Sequence, residues 1–362
     1  MKRTTMAAAL ACLALPAPAL AEGDLHLYIW SDYITDAAID RFRAETGIDV
    51  TVDVYDSNET LEARLLAGSS GFDVVVPTAD FLQRQVGAGV YQPLNRDLLP
   101  NASNMDAGLM ARAASFDPGN EHGMIYMWGT TGIGYNIDMI AERLGSDYEV
   151  NSWALIFDPE IASKVADCGI SFLDAPVEMI PAALAYLGRN PQSHEPEDLE
   201  AAGELLAQAR ENVRYFHSSQ YIGDLANGET CVAVGYSGDV FQAAARAEEA
   251  DRGVNVWYAI PQEGAVVWFD MLAIPSDAPN AENAHRFINF LMDPEVIAEI
   301  TNYVWYANAN RPSWPLVDAE ITGDPAIFPT QEVMDRLFTL VPYDSRTDRI
   351  VTRLWTRVRT GQ

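Results

Sequence analysis

The sequence is short of lysine, histidine and cysteine, and each shortage excludes something. Only Lys2 and Lys164 among its 23 basic residues are lysines, and 52 acidic residues bring the formal net charge to −29. Such a surface repels nucleic acid and anionic lipid and attracts cations at long range, although much of it is simply a solvated face. The histidines, His26, His122, His194, His217 and His285, are scattered without H-x-x-x-H or His/Cys spacing, so no transition-metal site is expected. No apolar run beyond the first residues reaches the roughly 18 needed for a membrane span. A phosphate loop of the G-x-x-x-x-G-K-[ST] kind is absent. Gly129, Gly132 and Gly134 read G-x-x-G-x-G before a strand-like run, which is not the dinucleotide fingerprint. Gly235-Tyr236-Ser237-Gly238-Asp239 puts Asp where a nucleophile elbow needs glycine. Neither a catalytic residue set nor a cofactor is signalled, and no enzyme is expected.

What is present begins with a leader. Residues 1–21 run from Met1-Lys2-Arg3 through an Ala/Leu stretch to Ala19-Leu20-Ala21, the pattern of a secretory signal peptide cleaved after Ala21. Cys12 lies inside that apolar run. Two cysteines remain, Cys168 and Cys231, each beside an apolar strand-like run. An even pair in an exported chain predicts a disulfide, here between neighbouring strands of one sheet. The roughly 340 residues after the leader exceed what one core usually holds, which predicts two lobes.

Strand and helix patterns alternate. Leu25, Leu27 and Ile29 alternate with His26 and Tyr28 and lead into Trp30-Ser31-Asp32-Tyr33; a helix is expected from Thr35 to Thr46, a strand from Ile48 to Tyr55 and a buried strand from Phe72 to Val76. Later strands are expected at Tyr126–Asn136, beside Cys168, at Thr230–Tyr236, Val254–Ile260, Val266–Ile274 and Val304–Ala309. Helices are expected at Pro176–Gly188, Pro196–Arg210, Val240–Ala250 and Ala281–Met292, with a basic one from Thr347 to Arg359 burying Ile350, Leu354 and Val358. The pattern predicts an α/β protein with mostly parallel central sheets flanked by helices, and sites at strand ends. The glycines of 129–134 fall where the backbone bends or a close neighbour is needed, and a hinge between lobes is expected there.

Aromatic residues recur beside acids at strand ends. Trp30 and Tyr33 flank Asp32, Tyr236 precedes Asp239, and Trp268-Phe269 precede Asp270, an acid inside an apolar strand. One such pair reads as core packing, and Asp270 alone as a buried ion pair or a site residue. Several together favour a cleft of rings and carboxylates, the complement of a linear polyammonium ion: each ammonium needs a counter-charge, and the methylenes need apolar cover.

From Trp30 onward the chain resembles the periplasmic substrate-binding proteins of polyamine ABC transporters, most of all the putrescine-binding branch. The resemblance rests on W-S-D-Y-I at 30–34, Y-D-S-N-E at 55–59, G-F-D-V-V-V-P at 71–77, W-G-T-T-G-I-G-Y-N at 128–136, S-F-L-D-A-P at 171–176, Y-F-H-S-S-Q-Y-I at 215–222 and Y-A-N-A-N at 306–310. It implies a two-lobed type II binding fold, with residues 24–128 plus 258–304 in one lobe and 129–257 plus 305–362 in the other. It implies a monomer that captures putrescine or spermidine in the periplasm and delivers it to an inner-membrane permease. Binding of another organic cation and a sensory role are the alternatives; a secreted hydrolase using Ser237 is a third.

Carried over by position, the resemblance implies an aromatic clamp of Trp30 and Tyr33, polar contacts from Ser31, Asp32 and Thr78, and ammonium-binding acids at Glu178, Asp239 and Asp270. Tyr306 is implied as a lining ring, with Ser237 adjacent. Three positions depart from the putrescine-binding pattern: Tyr236, Trp268 and Asp80. Trp268 is similar to spermidine-preferring members and Asp80 adds an acid, whereas Ala175 is putrescine-like; the balance leans to spermidine with putrescine also bound. The family's disulfide is implied for the two cysteines.

Overall fold

The computed structural model describes residues 23–361; the leader, Cys12 and the expected cleavage site lie outside them. Ten strands form one sheet: β1 Gly23–Trp30, β2 Ile48–Tyr55, β3 Val74–Val75, β4 Gly123–Asn136, β5 Ile170–Phe172, β6 Val213–Phe216, β7 Val232–Tyr236, β8 Val256–Ala259, β9 Val266–Ala273 and β10 Ala307–Asn308. The order is β2-β1-β3-β9-β4-β7-β5-β6, and β8 and β10 also pair with β4.

The alternation in β1 divides it between two cores. Leu25, Leu27 and Ile29 are fully buried on one face in a cluster with Phe42 of the helix Asp36–Thr46 and Phe287 of the helix Ala281–Leu291. Tyr28 faces the other way, with its ring 4.3 Å from Phe72 and 4.7 Å from Tyr55. The first helix starts where the Thr35 hydroxyl accepts from the Ala38 amide and stops at Gly47, whose φ of 74° closes the C-terminus. Ser57 caps the next helix, Asn58–Leu66, in the same way.

Parallel pairing holds at the two flanks, β2-β1-β3 and β6-β5-β7. Between them the sheet is mixed, because β4 runs antiparallel to β9 and β10 along its first part and to β7 and β8 along its second. This fourteen-residue strand is therefore shared by both flanks. Its glycines admit close neighbours: a Cβ on Gly129 would lie 2.7 Å from the Trp268 ring, and one on Gly132 would lie 2.5 Å from the Ala259 carbonyl oxygen.

Cys168 and Cys231 are bonded, as expected, with Cα atoms 5.5 Å apart just before the paired strands β5 and β7. The buried face of the basic helix, Ser345–Thr360, is rotated from expectation. Val351 and Trp355 join Leu354 and Val358 inside, while Ile350 is half-buried; the Trp355 indole donates to Asp174 at 2.9 Å, which fixes the rotation. Expectation also missed β6 and the helix Gln220–Asn227. Among the described residues no helix is long and apolar enough to cross a membrane.

Candidate functional site

Strand register brings the aromatic–acid pairs together. Trp30 and Tyr55 are aligned at the ends of β1 and β2. Thr78, just after β3, bridges to Asp270 in β9; Asp270 lies opposite Met127 of β4 and Trp268 opposite Gly129. Thr131 of β4 is aligned with Tyr236 at the end of β7, and the helix Ser237–Ala250 begins there with Asp239 in its first turn. Glu178 occupies the first turn of the helix Pro176–Tyr186. Trp30, Tyr55, Thr78, Glu178, Tyr236, Asp239, Trp268 and Asp270 thereby line a cavity of about 430 Å³.

Two backbone turns aim the rings. Asp32 has a φ of 55°, a left-handed conformation that Asp adopts more readily than most residues. The turn buries Tyr33 while Asp32 stays exposed. Trp305, at a φ of 58°, ends the helix Pro294–Val304 and delivers Tyr306 to the cavity wall. The rings of Tyr33 and Tyr306 meet edge to face at 5.4 Å, and Trp268 lies 5.3 Å from Tyr306. Trp30 packs 4.7 Å from Tyr55 and donates its indole N–H to the Val76 carbonyl at 2.9 Å, so its ring is held rather than free.

Each inner acid is held by hydroxyls. The Tyr33 hydroxyl donates to Asp270 Oδ2 at 2.7 Å, and the other oxygen, Oδ1, is buried with no partner in the protein. Asp239 accepts from Tyr221 at 2.8 Å and from Tyr306 at 2.7 Å. Glu178 accepts from the Thr131 hydroxyl at 2.8 Å. Burial outweighs this help. It pushes the carboxyls of Asp270 and Glu178 up to about 8, assisted by the neighbouring acids, and also raises Asp239. The Trp268 indole N–H is likewise buried and unpartnered. An unpaired buried polar group costs about 1–3 kcal/mol. With the Thr78 hydroxyl, also buried and unpartnered, three of them in one ring-walled cavity mark where a ligand's charge and polar atoms belong.

Of the expected site residues, Trp30, Ser31, Asp32, Tyr33, Thr78, Glu178, Tyr236, Asp239, Trp268, Asp270 and Tyr306 line this cavity. Asp80 and Ser237 do not. Asp80 is buried at the start of the helix Ala79–Gly87, beside a narrow gap lined by Phe81, Arg84 and Val177. The Ser237 hydroxyl is buried behind the wall and accepts from the Thr130 amide at 3.4 Å. Sequence reasoning missed Tyr55, Asp56 and Asn58, although their strand end was marked, and Tyr221, which supports Asp239 from behind. It also missed the stretch Ser218–Gln220 and Arg246. Among the described residues no cluster of His, Cys, Asp and Glu is arranged to hold a metal.

Residues 37–330 match the family described as bacterial extracellular solute-binding protein. The chain belongs to that family. This solute-binding protein is 53% identical over 338 residues to the putrescine-binding periplasmic protein SpuD of Pseudomonas aeruginosa, covering 93% of this chain and 92% of the relative. Its identity to the putrescine-binding periplasmic protein PotF of Escherichia coli is 50% over 358 residues, covering 99% and 97%. The spermidine/putrescine ABC transporter substrate-binding protein PotD of Streptococcus pneumoniae superposes with a TM-score of 0.79 at 26% identity, over 94% of this solute-binding protein and 99% of the other chain. The Streptococcus protein is by name part of an ABC transporter, and the chain shares its fold, an α/β architecture with a mixed central sheet consistent with a two-lobed type II binding protein.

Proposed function

We propose that the protein captures polyamines in the periplasm, putrescine foremost, and hands them to an ABC permease without chemical change. One observation carries the reading: the unpartnered Asp270 Oδ1, buried in a cavity walled by Trp30, Tyr33, Trp268 and Tyr306. A buried carboxylate oxygen among ring faces is a seat for an ammonium ion whose methylenes need apolar cover. A second seat stands at Asp239, separated from the first by the edge-to-face rings of Tyr33 and Tyr306. Two acids joined through two rings suit an α,ω-diamine.

The relatives named above as putrescine-binding support the same ligand class. Of the two features that lean toward spermidine, Trp268 lines the cavity and Asp80 does not, which favours the diamine. The proposed lobes are residues 24–128 plus 258–304 and 129–257 plus 305–362, closing on the ligand as a population shift. The leader would be cleaved after Ala21 and the mature protein would act as a monomer. Titration calorimetry of protein stripped of ligand by unfolding and refolding tests this: saturable one-site binding of putrescine is expected. No heat with putrescine or spermidine from a folded sample would overturn it.

A further inference from the structure

The cavity that gathers so many acids also contains one cation. Arg246 is the only basic side chain in its lining among the described residues. It belongs to the helix Ser237–Ala250, where Asp239, Gln242 and Arg246 fall at i, i+3 and i+7 on one stripe. That stripe runs from the inner acid outward by about 10 Å of helix axis. Its outer end meets the opposite wall: Arg246 Nη2 lies 3.5 Å from Asp32 Oδ2 and 3.4 Å from Gln242 Oε1, with Arg246 and Asp32 side chains 46% and 60% exposed. Asp32 follows β1 on one flank of the sheet, and Arg246 follows β7 on the other. The pair therefore spans the mouth of the cavity.

An exposed ion pair of this kind adds little to stability. Its position gives it another use. Asp32 and Asp56 are the exposed acids of the lining, and Asp32, set against Arg246, is the natural partner for the far ammonium of a ligand too long for the inner seats. Arg246 already supplies a positive charge there, and its side chain leans toward the helix N-terminus and so toward Asp239.

We propose that Arg246 is a specificity-determining residue that sets the number of ammonium groups the site accepts, holding the place of a third and thereby favouring diamines over triamines. The proposal rests on the polyamine reading above. A triamine must either displace the guanidinium from Asp32 or leave its last ammonium facing a like charge, and like charges brought together at a binding surface select strongly against the wrong ligand.

The test is the ratio of spermidine to putrescine affinity, measured by calorimetry at two ionic strengths in wild type, Arg246→Gln and Arg246→Lys. The glutamine variant should raise the ratio about tenfold or more, and the lysine variant, which keeps the charge, should stay near wild type. Salt screens both the acidic field, which pulls harder on a trication, and the guanidinium's repulsion, so the ratio should fall less with salt in wild type than in Arg246→Gln. Asp32→Asn, which frees the guanidinium from its partner, should move the ratio toward putrescine. A ratio unmoved in Arg246→Gln, or moved equally in both Arg246 variants, overturns the gate while leaving polyamine binding intact. Binding of neither amine to wild type overturns the polyamine reading and the gate together.

Discussion

At Asp270 a single side chain combines a stability cost with a binding role. One oxygen is tied to Tyr33 and the other has no protein partner, so replacement by Asn removes the charge a ligand needs while relieving burial of a carboxyl. Asp270→Asn should weaken putrescine binding at least a hundredfold by calorimetry without lowering the melting temperature of the empty protein. Trp30→Ala should weaken it at least tenfold through loss of a ring held by Tyr55 and Val76.

Proton linkage gives a second expectation at this scale. Asp270 and Glu178, pushed up to about 8, keep protons in the folded protein that the unfolded chain loses near pH 4. Their contribution is fully present below about pH 4 and fades as pH rises toward 8, so the empty protein should lose stability across that window. The lowered carboxyls of Asp167, Asp198 and Asp344 act in the opposite sense, below the usual carboxylate range and outside it. An arriving ammonium favours the ionised acids. Calorimetry at pH 7 in buffers of different ionisation heat should therefore show proton release, and affinity should rise from pH 6 to 8.5. Asp270→Asn should release fewer protons.

At the scale of elements, legibility followed range. The acid at 270 stood out because its neighbours in β9 are apolar, and the ring–acid pairs at strand ends marked most of the lining. Arg246 gave no such sign: it sits in a helix rich in Ala and Glu, where an arginine reads as solvated, and only the pairing of distant strands sets it opposite Asp32. Asp80 shows the converse. An acid at a helix start looked available, but the fold buries it beside the cavity rather than in its wall. The mixed centre of the sheet was also illegible, because periodicity finds β4 without saying that both flanks share it.

The first turn of the helix Ser237–Ala250 offers a test of how elements position side chains. A Cβ on Gly238 would lie 2.5 Å from the Tyr306 ring. Gly238→Ala should displace that ring from Asp239 and weaken putrescine at least tenfold, with native far-ultraviolet circular dichroism. Unchanged affinity would mean that Tyr306 does not set the second seat.

Over the whole molecule, the charge of −29 surrounds a cavity built for cations. A field of that sign should speed capture of a dication and be screened by salt. Stopped-flow fluorescence, reporting through Trp30 and Trp268 in the wall, should show the association rate falling several-fold between about 0.01 M and 0.15 M salt. A rate indifferent to salt would reduce the acidic surface to a matter of solubility.

The raised carboxyls of the cavity have a consequence for how the protein behaves in an electric field. At pH 7 a diamine brings two positive charges, and its ammonium ions draw protons off Asp270 and Glu178, which burial pushes up to about 8. The release offsets part of the added charge. Loaded and empty protein should thus differ on native electrophoresis at pH 7 by less than two charges, and by more in Asp270→Asn, which has fewer protons to give.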